Sequence, residues 1–297
     1  MNPPASISIV VVTHDSAAWL PEFFASWNQA LAASRLLKDH GCRVVIADSG
    51  SADGTLETAK TACPAAAIIE CGNIGYGAAA NRGVAAAGTT WVLICNPDLV
   101  FPEDFALKLL DPVLDELRAE PLWQNGSCIA PRLVNPDGSE QASVGEFPTI
   151  GSVLRDQFRP REMRKYVHPP PHTAATVDWA TGACLLLKRQ AFEAVSGFDE
   201  QFFLYVEEVD LQRRLWASGR ETWFAPEVTV IHHAPNAARA PRASVQKWSA
   251  RGMLRYFARH GSMFDLLGYK TMALLSWRLS LGEVLRGRKA ILKRSTR

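Results

Sequence analysis

The chain has 297 residues, 47% apolar and 21% charged, a globular balance that excludes disordered and fibrous proteins and leaves room for one or two domains. No stretch supplies the roughly 18 apolar residues of a membrane-crossing helix, and the N-terminus lacks the basic, apolar, small-residue order of a signal peptide. The net charge of +2 hides an imbalance: residues 242–297 carry 13 Lys/Arg against Asp265 and Glu283, and residues 1–241 carry 19 Lys/Arg against 28 Asp/Glu. An acidic body with a basic tail predicts that the tail meets an anionic partner. Six cysteines without a C-x-x-C pair predict free buried thiols in a reducing cytosol, not zinc or disulfide sites.

Taken in order, Ser6 to Thr13 (SISIVVVT) is a β-branched run that predicts a buried parallel strand. Helical spacing follows from Leu20 to His40, stopped by Gly41. Cys42 to Ala47 is a second strand that runs into the turn residues Asp48 to Gly54, with a helix from Thr55. Ala66 to Cys71 and Trp91 to Cys95 are two further strands, separated by a small-residue helix from Gly77 to Ala87. This alternation predicts a parallel sheet with helices on both faces. Beyond Asp98 the rhythm loosens. A helix is predicted over Glu103 to Arg118, an antiparallel excursion around Ile129 to Val134 and the turn Asn135 to Gly138, and an irregular stretch from Ser139 to Thr176. An apolar strand returns at Asp178 to Leu187, a helix at Leu211 to Ser218, a strand at Val228 to Ile231, and one or two helices from Gln246.

Polar clusters fall at four successive strand ends: Thr13-His14-Asp15, Asp48, Gly72 to Asn81, and Asn96-Pro97-Asp98. Ligands of open parallel sheets bind there, because loops and helix N-termini converge beyond the carboxyl ends. The segment Gly75 to Ala80 nearly matches a dinucleotide fingerprint, but it follows the third strand, whereas that fingerprint follows the first. Single members of these clusters have plainer uses. Asp98 alone suits a helix cap, Glu207 to Asp210 an acidic helix start, and His232 a structural histidine.

Ser8 to Ser16 (SIVVVTHDS), Ala47 to Thr55 (ADSGSADGT), Gly72 to Gly83 (GNIGYGAAANRG) and Asn96-Pro97-Asp98 resemble the nucleotide-binding half of family 2 glycosyltransferases with the GT-A fold. Trp179 to Arg189 (WATGACLLLKR) and Gly197 to Arg214 (GFDEQFFLYVEEVDLQRR) resemble their acceptor half, in the rhamnosyltransferase-like branch. The resemblance implies an α/β fold with a mostly parallel central sheet flanked by helices. It places a glycosyltransferase domain at 1–240, with the nucleotide half at 1–100 and the acceptor half at 101–240, followed by a basic helical extension at 241–297.

The same resemblance implies the site. Asp98 matches the last Asp of the D-x-D motif and would hold Mg²⁺ or Mn²⁺, with His232 completing that site. Thr13, His14, Asp15, Asp48, Asn73, Tyr76, Asn81, Asn96 and Asp98 would line the nucleotide sugar; His14 and Asp15 stand where the family often has Tyr and Asn. Glu208 occupies the position of the general base, with Asp210 as second choice. Glu207, Asp178, Trp179 and Gly182 would face the acceptor.

The implied reaction is inverting transfer of a sugar, L-rhamnose from dTDP-L-rhamnose first among the donors, to a polyprenyl-diphosphate-linked saccharide in bacterial surface polysaccharide synthesis. The alternatives are a UDP-hexose transferase, a nucleotide-binding scaffold without catalysis, and, third, a dehydrogenase. The basic, Trp-containing tail suits an anionic membrane surface, predicting a cytoplasmic protein at the inner face of the plasma membrane, or else helices packed on the body. No nucleic-acid recognition motif accompanies the charge.

Overall fold

The computed structural model describes residues 7–37, 42–115, 125–160, 164–167, 170–233 and 241–274. Strands β1 (Ile7–Thr13), β2 (Cys42–Asp48), β3 (Ala67–Glu70) and β4 (Trp91–Cys95) alternate with helices α1 (Leu20–Ala33), α2 (Thr55–Ala62) and α3 (Tyr76–Ala87). They lie side by side in the order β3-β2-β1-β4, and every join is parallel. All of β1 is buried, as expected of a strand covered on both faces. Ile7, Ile9 and Val11 meet Phe23, Phe24 and Trp27 of α1 on one side. Val10 and Val12 meet Ala79, Ala80 and Val84 of α3 on the other. The small residues of α3 have a steric reason: a Cβ at Gly83 would collide with Val10 Cγ1.

Helix α1 stops at Ala33, short of the predicted His40. Ser34 leaves the helical region (φ −63°, ψ 141°) and its hydroxyl donates to Asp111 Oδ1 at 2.5 Å, while Arg35 N–H donates to Asp111 Oδ2 at 2.8 Å. Residues 38–41 lie outside the described residues. The predicted helix at Glu103 to Arg118 is a wide turn at Ala106–Leu110 followed by α4 (Asp111–Leu114), and 116–124 are likewise undescribed.

The second half adds β5 (Leu99–Val100), β6 (Gly126–Val134), β7 (Glu140–Gln141), β8 (Val144–Gly145), β9 (Ala175–Val177), β10 (Trp179–Ala180), β11 (Cys184–Lys188) and β12 (Glu221–His232). Beyond β4 the sheet continues β11-β6-β12-β5, with β11 antiparallel to both neighbours and β12 parallel to β6. The stretch predicted to be irregular contains α5 (Ile150–Gln157), opened by a reciprocal cap between Thr149 and Ser152. The strand predicted at Asp178 to Leu187 is broken into β10 and β11 around Thr181-Gly182-Ala183. Helices α6 (Arg189–Ala194) and α7 (Glu207–Ala217) follow, and α7 starts four residues before the predicted Leu211.

The basic extension supplies α8 (Arg242–His260) and a helix over 263–274. Tyr256, Phe257 and Tyr269 from these helices share one cluster with Trp179, Phe202, Val206 and Val209. Among the described residues no helix is long and apolar enough to cross a membrane. All six cysteines are free, but only Cys95, Cys128 and Cys184 are buried; Cys42, Cys63 and Cys71 are half-buried. Desolvation pushes each thiol up, Cys42 and Cys128 to about 12, so all six stay protonated at neutral pH.

Candidate active site

The ends of β1 and β2 are laced together. Asp48, 2% exposed, accepts from Thr13 Oγ1 at 2.7 Å and Ser51 Oγ at 2.5 Å through Oδ1, and from the Gly50 and Ser51 amides at 3.1 and 2.9 Å through Oδ2. These bonds use about four lone-pair directions, the capacity of a carboxylate. A base donating to Asp48 therefore requires the Ser51 hydroxyl to rotate away. His14 is exposed, with Nδ1 2.8 Å from the Ser49 carbonyl oxygen. Asp15 adopts a left-handed φ of +48°, and its Oδ1 accepts from Ala52 N–H at 2.8 Å. Together these bonds lock the 13–17 and 48–55 turns into one wall.

Gly75 opens α3 at φ +90° against the Phe203 carbonyl, which any Cβ would strike. Tyr76 donates its hydroxyl to Gly182 O at 2.7 Å. Burial, with Cys95, Glu207 and Glu208 near, pushes this phenol well above its ordinary value, so it remains a neutral donor. Asn73 is exposed at the same loop. Asn81 is committed elsewhere: its amide brackets the main chain of Phe198, accepting from its N–H and donating to its carbonyl, both at 2.9 Å.

Asp98 is 1% exposed and neither carboxylate oxygen has a hydrogen-bond partner. An unpaired buried carboxylate is costly and calls for a counter-charge. The pairing of β5 with β12 sets His232 opposite Leu99, bringing His232 Nε2 to 3.4 Å from Asp98 Oδ1. Gln141, on β7, orients the ring. Its Nε2 donates to Asn135 Oδ1 at 3.0 Å, so its Oε1 faces His232 Nδ1 at 2.6 Å and that nitrogen carries the proton. Nε2 stands 3.4 Å from the Asn96 amide nitrogen. A buried carboxylate without donors beside an imidazole nitrogen fits a divalent cation such as Mn²⁺ or Mg²⁺. Among the described residues no group of three or more His, Cys, Asp or Glu gathers to hold a metal.

Across the rim, Asn96 N–H donates to Ala183 O at 2.9 Å, and a Cβ at Gly182 would lie 3.5 Å from Glu208 Cβ. Gly182-Ala183 therefore bridges the Asp98 side to the start of α7, and the two carboxylates share one end of the sheet. Tyr205 and Val206, at φ +72° and +73°, make the turn that aims Glu207 and Glu208 inward. Left-handed conformation at a β-branched residue costs energy and clusters at functional sites. Glu207 Oε2 and Glu208 Oε2 are buried without partners. Burial raises both carboxyls; the Lys165 charge and nearby main-chain amides pull Glu208 partway back.

Asp210, the second-choice base, does not share this freedom. It is fully buried, Oδ1 accepting from His260 Nε2 at 2.7 Å and Oδ2 from Arg214 Nε at 2.8 Å. Burial raises its carboxyl, but these donors and the Arg214 and Arg259 charges outweigh that and hold it below its ordinary value. Asp178 Oδ2 accepts from Phe147 N–H at 2.7 Å, and the buried Trp179 donates Nε1 to Glu146 O at 2.8 Å, so both tie the 146–147 segment to the cleft wall. Sequence reasoning missed Gln141, His260 and Gln212. Gln212 pairs with both main-chain groups of Ala180, at 2.8 and 2.7 Å, as an extra rung beside β10. A polar residue amid Val209, Leu211 and Leu215 was the available signal for Gln212.

The same architecture recurs in solved glycosyltransferases of the GT-A class. Against GalNAc-T7 with UDP, GalNAc and Mn²⁺ the TM-score is 0.60 at 13% identity, covering 87% of this chain and about half (48%) of that one. Against the mannosyltransferase PcManGT from Pyrobaculum calidifontis with GDP-Man and Mn²⁺ it is 0.55 at 17% identity, covering 91% and 70%. This is a GT-A glycosyltransferase fold. The glycosyl transferase family 2 model matches residues 8–119. The chain is 30% identical to the N-acetylglucosaminyl-diphospho-decaprenol L-rhamnosyltransferase of Mycobacterium tuberculosis, over 96% of this chain and 91% of that protein. It is 25% identical to the rhamnosyltransferase WbbL of Escherichia coli, over 58% of this chain and 63% of that protein. The chain belongs to glycosyl transferase family 2.

Proposed function

We propose that this enzyme is an inverting, metal-dependent rhamnosyltransferase that moves L-rhamnose from dTDP-L-rhamnose to a polyprenyl-diphosphate-linked saccharide in surface polysaccharide synthesis. The donor and acceptor classes come from the mycobacterial relative, whose name specifies both the sugar moved and the diphospho-decaprenol carrier. The observation that carries the chemistry is the placement of the unpartnered buried carboxylate of Asp98 and the buried, unpartnered Oε2 of Glu208 on one rim joined by Gly182-Ala183.

Asp98 and Nε2 of His232 would hold Mg²⁺ or Mn²⁺, which supplies positive charge for the departing diphosphate. Thr13, His14, Asp15 and Asp48 form the wall against which the base and ribose sit, and Asn73, Tyr76 and Asn96 line the sugar-diphosphate path. Asn81 supports that path from behind through Phe198. Glu208 removes the acceptor hydroxyl proton as that oxygen attacks the anomeric carbon opposite the leaving diphosphate, which inverts the configuration. Its raised carboxyl suits a base working near neutral pH. Glu207, Asp178, Trp179 and Gly182 shape the acceptor side. In this reading residues 1–100 hold the donor, 101–240 the acceptor, and 241–274 brace the acceptor half while the protein works at the inner face of the plasma membrane.

The test is thermal stabilisation by dTDP, UDP and GDP with and without Mn²⁺, followed by turnover of Glu208→Gln. Mn²⁺-dependent stabilisation strongest with dTDP, and a Gln variant that binds dTDP without transferring, support the proposal. Preference for UDP redirects it to a UDP-hexose donor. Normal turnover by Glu208→Gln removes the assigned base.

A further inference from the structure

Seven large apolar side chains are exposed among the described residues, and six lie on two adjoining helices. Leu154 and Phe158 project from α5 and its C-cap; Met263, Phe264, Leu267 and Leu274 project from the 263–274 helix. Phe158 is 91% and Phe264 84% exposed. The seventh, Trp216, packs edge to face with Phe147 just before α5, with ring centroids 6.2 Å apart. The helices touch: Asp265 Oδ1 accepts from Ile150 N–H at 2.9 Å, and a Cβ at Gly268 would lie 2.9 Å from Ile150 Cγ1. Their inner faces, Ile150, Val153, Leu266 and Tyr269, belong to the cluster around Trp179. Lone exposed apolar residues need no explanation, but a contiguous group marks an interaction surface.

Cations are interleaved with it. Arg155 and Arg159 follow Leu154 and Phe158 by one residue each, and Lys270 shares the helical stripe of Met263, Leu267 and Leu274. Arg164 joins them, its Nε donating to Arg159 O at 3.0 Å. The sequence beyond, 275–297, adds seven Lys/Arg against Glu283. Apolar tips flanked by long cationic chains are what an interface of acyl chains and anionic headgroups demands. A second copy meeting this face across a two-fold axis would set the same cations against themselves.

We infer that the outer face of α5 and the 263–274 helix docks on an anionic bilayer, with Phe158, Phe264 and Leu267 reaching the acyl region and Arg155, Arg159 and Lys270 meeting lipid phosphates. The proposal deepens the lipid-linked acceptor reading and rests on it for its purpose. The 146–147 segment that leads into α5 is bonded to Asp178 and Trp179, so a bilayer there lies next to the acceptor side of the cleft.

The full-length protein is floated with phosphatidylcholine vesicles that contain either no or roughly one-third phosphatidylglycerol. The wild type is expected to float with the anionic vesicles alone, and less as salt is raised. The Phe158→Ser/Phe264→Ser variant should lose about tenfold or more in partitioning, with an unchanged melting temperature and unchanged transfer to a detergent-soluble acceptor. Equal flotation of variant and wild type overturns the proposal, as does indifference to phosphatidylglycerol. So does light scattering that shows a dimer which the variant dissociates, since a second copy then covers the face. Flotation needs neither donor nor acceptor, so its failure leaves the transferase reading standing.

Discussion

Asp210→Asn separates a structural carboxylate from a catalytic one. Asp210 is fully buried and Arg214 nearly so, with their groups 2.8 Å apart and His260 on the other oxygen. Removing one member of a buried pair typically costs 3–5 kcal/mol, because the other charge is left uncompensated. Asparagine keeps one acceptor for His260 or Arg214, so the loss should fall at the lower end, about 3 kcal/mol. At roughly 2 °C per kcal/mol for a chain of this size, the melting temperature should drop by ~6 °C. Linkage gives a second readout. The folded carboxyl lies below its ordinary 3.8, so it contributes stability above that pH and loses it as pH falls through the folded value. The variant should therefore lose less stability in acid than the wild type. Calorimetry at neutral and acidic pH, beside turnover corrected for folded protein, makes the measurement. An unchanged melting temperature with turnover abolished would refute the reasoning and return Asp210 to the chemistry.

Three further outcomes follow from the same geometry. Asp98→Asn should raise the melting temperature of the ligand-free protein, since it removes an unsatisfied buried charge whose penalty is about 1–3 kcal/mol or more, and should abolish Mn²⁺-dependent stabilisation by dTDP. Gln141→Leu frees the His232 tautomer and should weaken that metal-dependent stabilisation about 10–100-fold, read as the Mn²⁺ midpoint of the dTDP thermal shift. The acidic limb of kcat/KM should lie above the ordinary glutamate value of 4.5, because burial favours the protonated, inactive base. Lys165→Met removes a charge that favours the carboxylate, so that limb should move to still higher pH; a shift toward acid would contradict the assignment of Glu208.

The parallel half was legible because doubly covered strands read as unbroken β-branched runs and their ends as turn residues. Asp98 and Glu208 were reachable through motif resemblance alone, since nothing in local spacing says that β12 returns His232 to Asp98 across 134 positions. The partnership of Asp210 with His260, 50 residues on, was equally hidden, and this is why Asp210 stood as the second-choice base. Helix α5 escaped notice because its cap uses Ser152 where Glu or Gln is the usual signal. The split between β10 and β11 falls at Thr181-Gly182-Ala183, which in sequence are three small residues within an apolar run.

The Phe198–Val206 segment, which touches Gly75 on one side, is held on the other by residues far downstream. Arg255 donates to Asp199 at 2.6 and 2.9 Å, Trp248 stacks on Phe203, and Gly252 lies against Tyr205 and Val206. The turn that carries Glu207 and Glu208 is therefore clamped between α3, early in the chain, and α8, late in it.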